Sequence, residues 1–362
     1  MATTDSWLRL NRSGVDPAKQ LELVRALSSP EAILGASADT LSAACPTLTP
    51  RDLTKLADAA TLDAAPLQEQ MTALGLHLVT WGDDQYPRLL AQLDAAPPVL
   101  FARGELTPRD ELAVAIVGTR RCSPYGTMVA ESLAGSLARR GFTIISGLAV
   151  GIDGAAHRGA LQAGGRTIGV MACGLDVDYP GEHRNLKDEM SASGAVLSES
   201  ALGTPPTRER FPARNRIISG LALGVVVVEA PARSGALITA DLALEQGREV
   251  FAVPGPVDSP LSRGAHHLIK DGARLVEAAE DVVDGLGMLL EAVPEREPKQ
   301  VLTAELSGDE AAVVQAMSHQ PRHQDEISAT AQLPPARVAA ALMLLEVKGL
   351  ARRFPGNTFV RL

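Results

Sequence analysis

Residues 142–161 read FTIISGLAVGIDGAAHRGAL. A short apolar run of β-branched character ends at Ser146-Gly147, a glycine-bearing loop follows, and a stretch with helical spacing begins near Gly151. One strand, one loop and one helix in twenty residues is half of a βαβ unit. The pattern recurs. Apolar runs LAVAIVG (112–118), TIGVMACG (167–174), AVLSES (195–200), GVVVVEA (224–230) and EVFAVPG (249–255) alternate with helix-like SLAGSLARRG, GAAHRGALQAGG and ITADLALEQG. Strands that are apolar on both faces, separated by amphipathic helices, predict a doubly wound, Rossmann-like parallel α/β sheet covered by helices on both sides. Upstream, LHLVTWGDDQYPRLLAQLDAAPPVLFARG reads as strand, helix and strand, extending the sheet.

The flanks differ from this centre. Residues 1–75 show helical spacing throughout, with cap-type Asp16, Ser37 and Thr49 at helix starts and Pro17 and Pro50 beside two of them. They predict a small helical domain, with 76–290 as the extended Rossmann-like domain. LNRSGVDPAKQLELV and CPTLTPRDLTKL faintly suggest helix-hairpin-helix units but lack paired glycines, so DNA contact and plain packing both stay open there. Residues 291–306 mix prolines and charges and read as a linker. Residues 307–362 give three helices and then two strands turning at Pro355-Gly356-Asn357, a winged-helix pattern. Residues 299–362 carry seven Lys+Arg against six Asp+Glu, so a protein contact is as compatible with this domain as a DNA contact through Arg352 and Arg353.

The 362-residue chain has a formal net charge of −9, which argues against wholesale nucleic-acid binding but permits a local basic site. Cys45, Cys122 and Cys173 are far apart and without ligand-spaced histidines, so free thiols are expected rather than disulfides or zinc. Neither a secretory signal nor an 18-residue apolar run is visible, which places the protein in the cytoplasm with no membrane contact.

In an open parallel sheet, ligands bind beyond the carboxyl ends of the strands. The loops expected there carry Gly118, Gly147, Gly151, Gly174 and Gly235 together with Arg120, Arg121, Arg208, Arg210, Arg214, Arg216 and Arg233. Glycines admit close approach of a ligand and arginines neutralise anions, so an anion-binding edge is expected. Neither a GxGxxG dinucleotide fingerprint, a P-loop nor a nucleophile elbow is present. Asp153 and His157, spaced i, i+4, suit either acid–base work or a structural hydrogen bond. Asp176, Asp178 and Glu199 fit no metal-loop spacing, and neither metal nor cofactor is expected. RERFPARNRIISG (208–220) sets four arginines around one of only six phenylalanines. Several cations beside an aromatic ring suit a single nucleic-acid strand, whose phosphates and unpaired bases need both. Phe211 is read either as that stacking platform or as core.

VGTRRCSPYG, SGLAVGIDGAAHRGAL, FPARNRIISGL, VVVEAPARSGALITADLALEQGREVFAVPG and LIKDGA, in this order across most of 112–273, resemble the signature blocks of the DNA-processing protein A family (DprA, also called Smf). The resemblance implies a single-stranded-DNA-binding mediator of natural transformation. Such a protein protects incoming DNA and loads the recombinase RecA onto it in place of single-strand binding protein; it acts as a homodimer and is not an enzyme. It also implies that Arg120 grips phosphate while Gly118 and Thr119 shape its turn, and that Ser146 and Gly147 offer hydroxyl and backbone donors. By the same resemblance Arg208 contacts the backbone where a lysine is common, Phe211 helps form the base pocket, Arg214 and Asn215 complete the loop, and Ser234, Gly235 and Thr239 line the same edge. SGLAVGIDGAAHRGALQAGGRTIGV is similar as well to phosphoribohydrolases that act on nucleoside monophosphates, but EAPARSGALITAD lacks the P-G-G-x-G-T-x-x-E loop those enzymes need.

Overall fold

In a computed structural model of the chain, residues 3–287, 308–318, 322–348, 350–354 and 356–361 are described. The linker expected at 291–306 and Pro355 of the expected turn lie outside them. Six helices open the chain: α1 (Thr4–Arg12), α2 (Pro17–Leu27), α3 (Pro30–Leu34), α4 (Ala38–Ala44), α5 (Pro50–Ala60) and α6 (Ala65–Ala73). Their starts follow from local chemistry. The Asp16, Ser37 and Thr49 side chains accept hydrogen bonds from Ala18, Thr40 and Asp52 backbone N–H groups, satisfying donors that have no partner within the helix.

The sheet begins with β1 (His77–Thr80), short α7 (Arg88–Ala91) and β2 (Val99–Gly104). Strand–helix alternation then runs through β3 (Ala113–Val117), α8 (Pro124–Arg139), β4 (Thr143–Gly147), α9 (Ile152–Gln162), β5 (Thr167–Val170), α10 (Arg184–Ser193) and β6 (Ala195–Ser198). It continues with α11 (Arg210–Gly220), β7 (Gly224–Val227), α12 (Gly235–Glu245), β8 (Glu249–Ala252), α13 (Arg263–Lys270), β9 (Arg274–Leu275) and α14 (Ala279–Leu286). The nine strands are ordered β1-β2-β6-β5-β4-β3-β7-β8-β9. From β6 to β9 every pair is parallel; β1 and β2 add antiparallel at the β6 edge, in the place expected for the strand–helix–strand segment. β9 was not expected: two exposed residues carry no periodic signal.

The order reverses at β3, which pairs with β4 on one side and with β7 on the other. One apolar layer joins the sheet to α11, α12 and α13 through Ile217, Ala240 and Leu268; another joins it to α8, α9 and α14 through Leu137, Ala156 and Val282. A third cluster packs Trp7, Leu8, Leu23 and Leu56 of the N-terminal helices against Phe101, Met171, Met190 and Val196. The N-terminal helices therefore share a core with the sheet.

The C-terminal part comprises α15 (Gly308–Ala316), β10 (Arg322–His323), α16 (Gln324–Ala331), α17 (Pro335–Val347), β11 (Ala351–Phe354) and β12 (Thr358–Arg361), with sheet order β10-β12-β11. Three helices and a β11–β12 hairpin form the expected winged helix, closed around Val313, Ile327, Leu342 and Phe359. The turn places Gly356 and Asn357 at φ of 82° and 59°, the left-handed region that those two residue types tolerate.

Candidate nucleic-acid interface

Loops leaving two strands that flank a reversal of strand order diverge, and the crevice between them is where open α/β sheets bind ligands. Here the loops after β3 and β7 open a cavity of about 520 Å³. Its walls include Gly118, Thr119 and Arg120 after β3, Asp153 on α9, Phe211, Arg214 and Asn215 on α11, and Ser234, Gly235 and Thr239 at the start of α12. Nine of the twelve residues singled out from the sequence are thus brought together.

The remaining three, Ser146, Gly147 and Arg208, are not in its walls. Ser146 is fully buried and its hydroxyl donates to the Ile116 carbonyl, 2.6 Å away inside the sheet, so it cannot offer that proton to a ligand. Arg208 is exposed and lines none of this cavity. Gly147 also acts from behind the wall. A Cβ there would overlap the Arg214 guanidinium, so this glycine makes room for that arginine. Gly118 is needed for a similar reason, since a Cβ would press on the Ile152 side chain and the Glu229 carbonyl.

Several wall residues are held by identifiable partners. Thr119 N–H donates to the Glu229 carbonyl at 2.7 Å, and Thr119 Oγ1 accepts from Arg121 N–H, fixing the turn that projects Arg120. Glu229, itself buried, accepts from the Ser123 backbone and hydroxyl at 2.8 and 2.6 Å and so ties the β3 loop to β7. Ser234 caps α12 by accepting from Ala236 N–H, and Asn215 Nδ2 donates to the Gly235 carbonyl.

Phe211 lies outside the apolar clusters. It is half-buried and lies under Arg120, whose guanidinium carbon is 4.4 Å from the ring centroid. Tyr179 completes the group with a tilted ring 5.9 Å from Phe211 and a hydroxyl 3.4 Å from Arg120 Nη1. Sequence inspection missed Tyr179 because it stands in the β5 loop, 32 positions away from Phe211, with no spacing to connect them. Helix α11 starts at Arg210 and includes Phe211 and Pro212 in its first turn, where proline's missing N–H costs nothing. Phe211, Arg214, Asn215 and Ile218 consequently share one helix face, at the i, i+3, i+4, i+7 spacing.

Arg214 is the cavity's internal cation. It is only 6% exposed, its Nη1 donates to the Val170 carbonyl, and burial lowers its pKa, opposed by the Asp153 carboxylate. Burial in turn pushes the Asp153 carboxyl up to about 6, against the pull of Arg214. His157 is not an acid–base partner for it. The ring is fully buried, with Nδ1 2.6 Å from Thr167 Oγ1, and burial drives its pKa down to about 3. The arginines do not all converge. Arg120, Arg121, Arg214 and Arg233 line this cavity, whereas Arg216 is paired with Glu199 and turned away. Among the described residues no group of three His, Cys, Asp or Glu could hold a metal, and no helix is long and apolar enough to cross a membrane.

Residues 77–287 match the family model described as DNA recombination-mediator protein A, and residues 297–357 match the DprA winged helix domain. The chain is 40% identical over 300 residues to protein Smf of Escherichia coli, covering 79% of this chain and 77% of that one. It is 48% identical over 201 residues to DNA processing protein DprA of Streptococcus pneumoniae, covering 56% and 71%. The X-ray structure of DprA from Streptococcus pneumoniae superposes with a TM-score of 0.70 at 37% identity, over 78% of this chain and 98% of that one. A Helicobacter pylori DprA structure, titled for its single-stranded DNA binding mode, superposes at 0.52 with 31% identity, over 58% and 95%.

Proposed function

The chain belongs to the DNA recombination-mediator protein A family, and from that premise we propose that it binds single-stranded DNA in the switch-point cavity and delivers the strand to a RecA-type recombinase. The observation that carries the proposal is the pairing of Arg120 with Phe211 at the mouth of a cavity whose floor is the buried Arg214. A phosphate meets Arg120 and Arg121, and an unpaired base meets the Phe211–Tyr179 surface. A base stacked inside a duplex offers only its edge, so an aromatic platform selects single strands. Gly235, where a Cβ would meet open space, lets the strand's backbone approach closely, and Ser234, Asn215 and Thr239 shape the far wall. Arg208, exposed just ahead of α11, meets the strand where it leaves the cavity.

The domain division that serves this function is a helical part to about residue 75, the strand-binding sheet to about 290, a linker at 291–306 and the winged helix from 307. Because the helical part shares a core with the sheet, we assign it to holding that sheet in shape. α12 exposes Ile238 and Leu244, which supports a homodimer formed through this helix. With His157 buried between α9 and the sheet, the i, i+4 pair supplies no catalytic base, and the protein handles strands without altering them, in the cytoplasm. The test is RecA-driven strand exchange on DNA precoated with single-strand binding protein. The expected result is stimulation by this protein with intact nucleotides throughout; no stimulation, or released bases, overturns the proposal.

A further inference from the structure

A second cavity of about 520 Å³ adjoins the first, between the α1–α2 turn and the carboxyl ends of β5 and β6. Helix α11 separates the two. Its Phe211, Asn215 and Ile218 line the first, its Arg210, Ala213 and Arg216 line the second, and Arg214 lines both. The second cavity gathers Arg12, Arg210, Arg214 and Arg216 against two carboxylates, Asp16 and Glu199. Glu199 is paired with Arg216 and Asp16 caps α2, so both acids are engaged while the cationic excess remains.

Three polar atoms in these walls are buried without a hydrogen-bond partner: Asn11 Oδ1, Arg214 Nε and Arg216 Nη1. A buried group left unpaired costs about 1–3 kcal/mol, so two donors and an acceptor around one cavity call for a ligand that supplies the reverse set. Met171, Val99 and Pro97 add apolar surface beside them. Cations, an unpaired amide acceptor and an apolar wall match the phosphate, polar edge and face of a nucleotide, and the volume lies within the usual range for small-ligand sites.

We propose that this second cavity binds a further nucleotide unit, so that a strand seated on Phe211 continues across the first turn of α11 into it. The proposal rests on the single-strand reading of the first cavity. The same chemistry also accommodates a free mononucleotide, and the experiment separates the two sources.

Full-length protein is photocrosslinked to dT20 strands carrying one 4-thiothymidine, and the attached peptides are mapped. In parallel, affinities for dT20 and for labelled dTMP are measured with Arg12→Glu and Ala213→Trp, both at exposed positions that line only the second cavity. Crosslinks in the Phe211 peptide and in the Asn11–Gln20 segment are expected. Each substitution is expected to weaken dT20 about tenfold near physiological salt, through a lost or blocked phosphate contact. Saturable dTMP binding that both substitutions abolish, without strand crosslinks at 11–20, assigns the cavity to a free nucleotide. Crosslinks at Phe211 alone, with both variants binding dT20 normally and no dTMP bound, overturn the second site and leave the first. Crosslinks at neither place overturn both.

Discussion

Replacing Phe211 by alanine removes a ring that lies between Arg120, 4.4 Å from its centroid, and Tyr179, 5.9 Å away. The two contacts fix the folding cost. A cation–π pair near the surface contributes about 0.5–1 kcal/mol and a tilted aromatic pair a similar amount. Phe211→Ala should therefore lower stability by roughly 1–2 kcal/mol, well short of the roughly 3–5 kcal/mol expected when a core phenylalanine leaves a cavity. Binding should suffer more, because one base–aromatic contact is worth about 1–3 kcal/mol, or roughly 5- to 150-fold in Kd. Phe211→Tyr keeps the ring and should bind almost normally. The salt dependence should stay unchanged in both variants, since no phosphate contact is lost. Fluorescence anisotropy with labelled dT20 and thermal melting of the same samples read both quantities. A variant that melts far earlier yet binds dT20 normally below its transition would refute the stacking role and make Phe211 structural.

Other consequences follow from neighbouring residues. Asp153 is protonated more readily folded than unfolded, so its contribution to stability is full below about pH 4 and fades as pH rises through about 6. Phosphate nearby favours the same neutral form, so dT20 affinity should tighten as pH falls through about 6; Asp153→Asn should flatten that profile, and an unchanged profile would discount the carboxyl. Gly147→Ala drives a methyl into the Arg214 guanidinium; it should weaken dT20 binding while costing about 1–3 kcal/mol of stability as overpacking, and unaltered affinity would show that Arg214 does not serve the cavity. Leu244→Glu places a charge on the exposed α12 face and should shift sedimentation from dimer to monomer; a dimer that persists would move the interface elsewhere.

The architecture was legible because buried parallel strands must be apolar on both faces, which writes them as continuous runs such as GVVVV, and because glycine loops and capping residues mark where elements end. The switch point was not legible, since strand order lies in pairing rather than composition. Direction was the weaker part of the site. Seven loop arginines look alike in a sequence, but helical period sends Arg214 inward and Arg216 toward Glu199, while Arg208 precedes α11 and stays exposed. Ser146 looked like a ligand donor because it stands near the end of a strand at the expected edge, yet its hydroxyl donates to the Ile116 carbonyl inside the sheet. The shared core of the N-terminal helices was hidden for a further reason. Periodicity shows that a helix has an apolar face, and does not name the surface that covers it.

The most direct test of the switch-point cavity as a phosphate-gripping single-strand site is the slope of log affinity against log salt for dT20, compared between the unmodified chain and Arg120→Glu. For single strands each neutralised phosphate contributes about −0.7 to that slope. The unmodified protein should show a slope worth several contacts and a marked preference for dT20 over the same length of duplex, while Arg120→Glu should bind more weakly with a shallower slope. Equal slopes and equal affinities for the two proteins would contradict the assignment of this cavity to the strand.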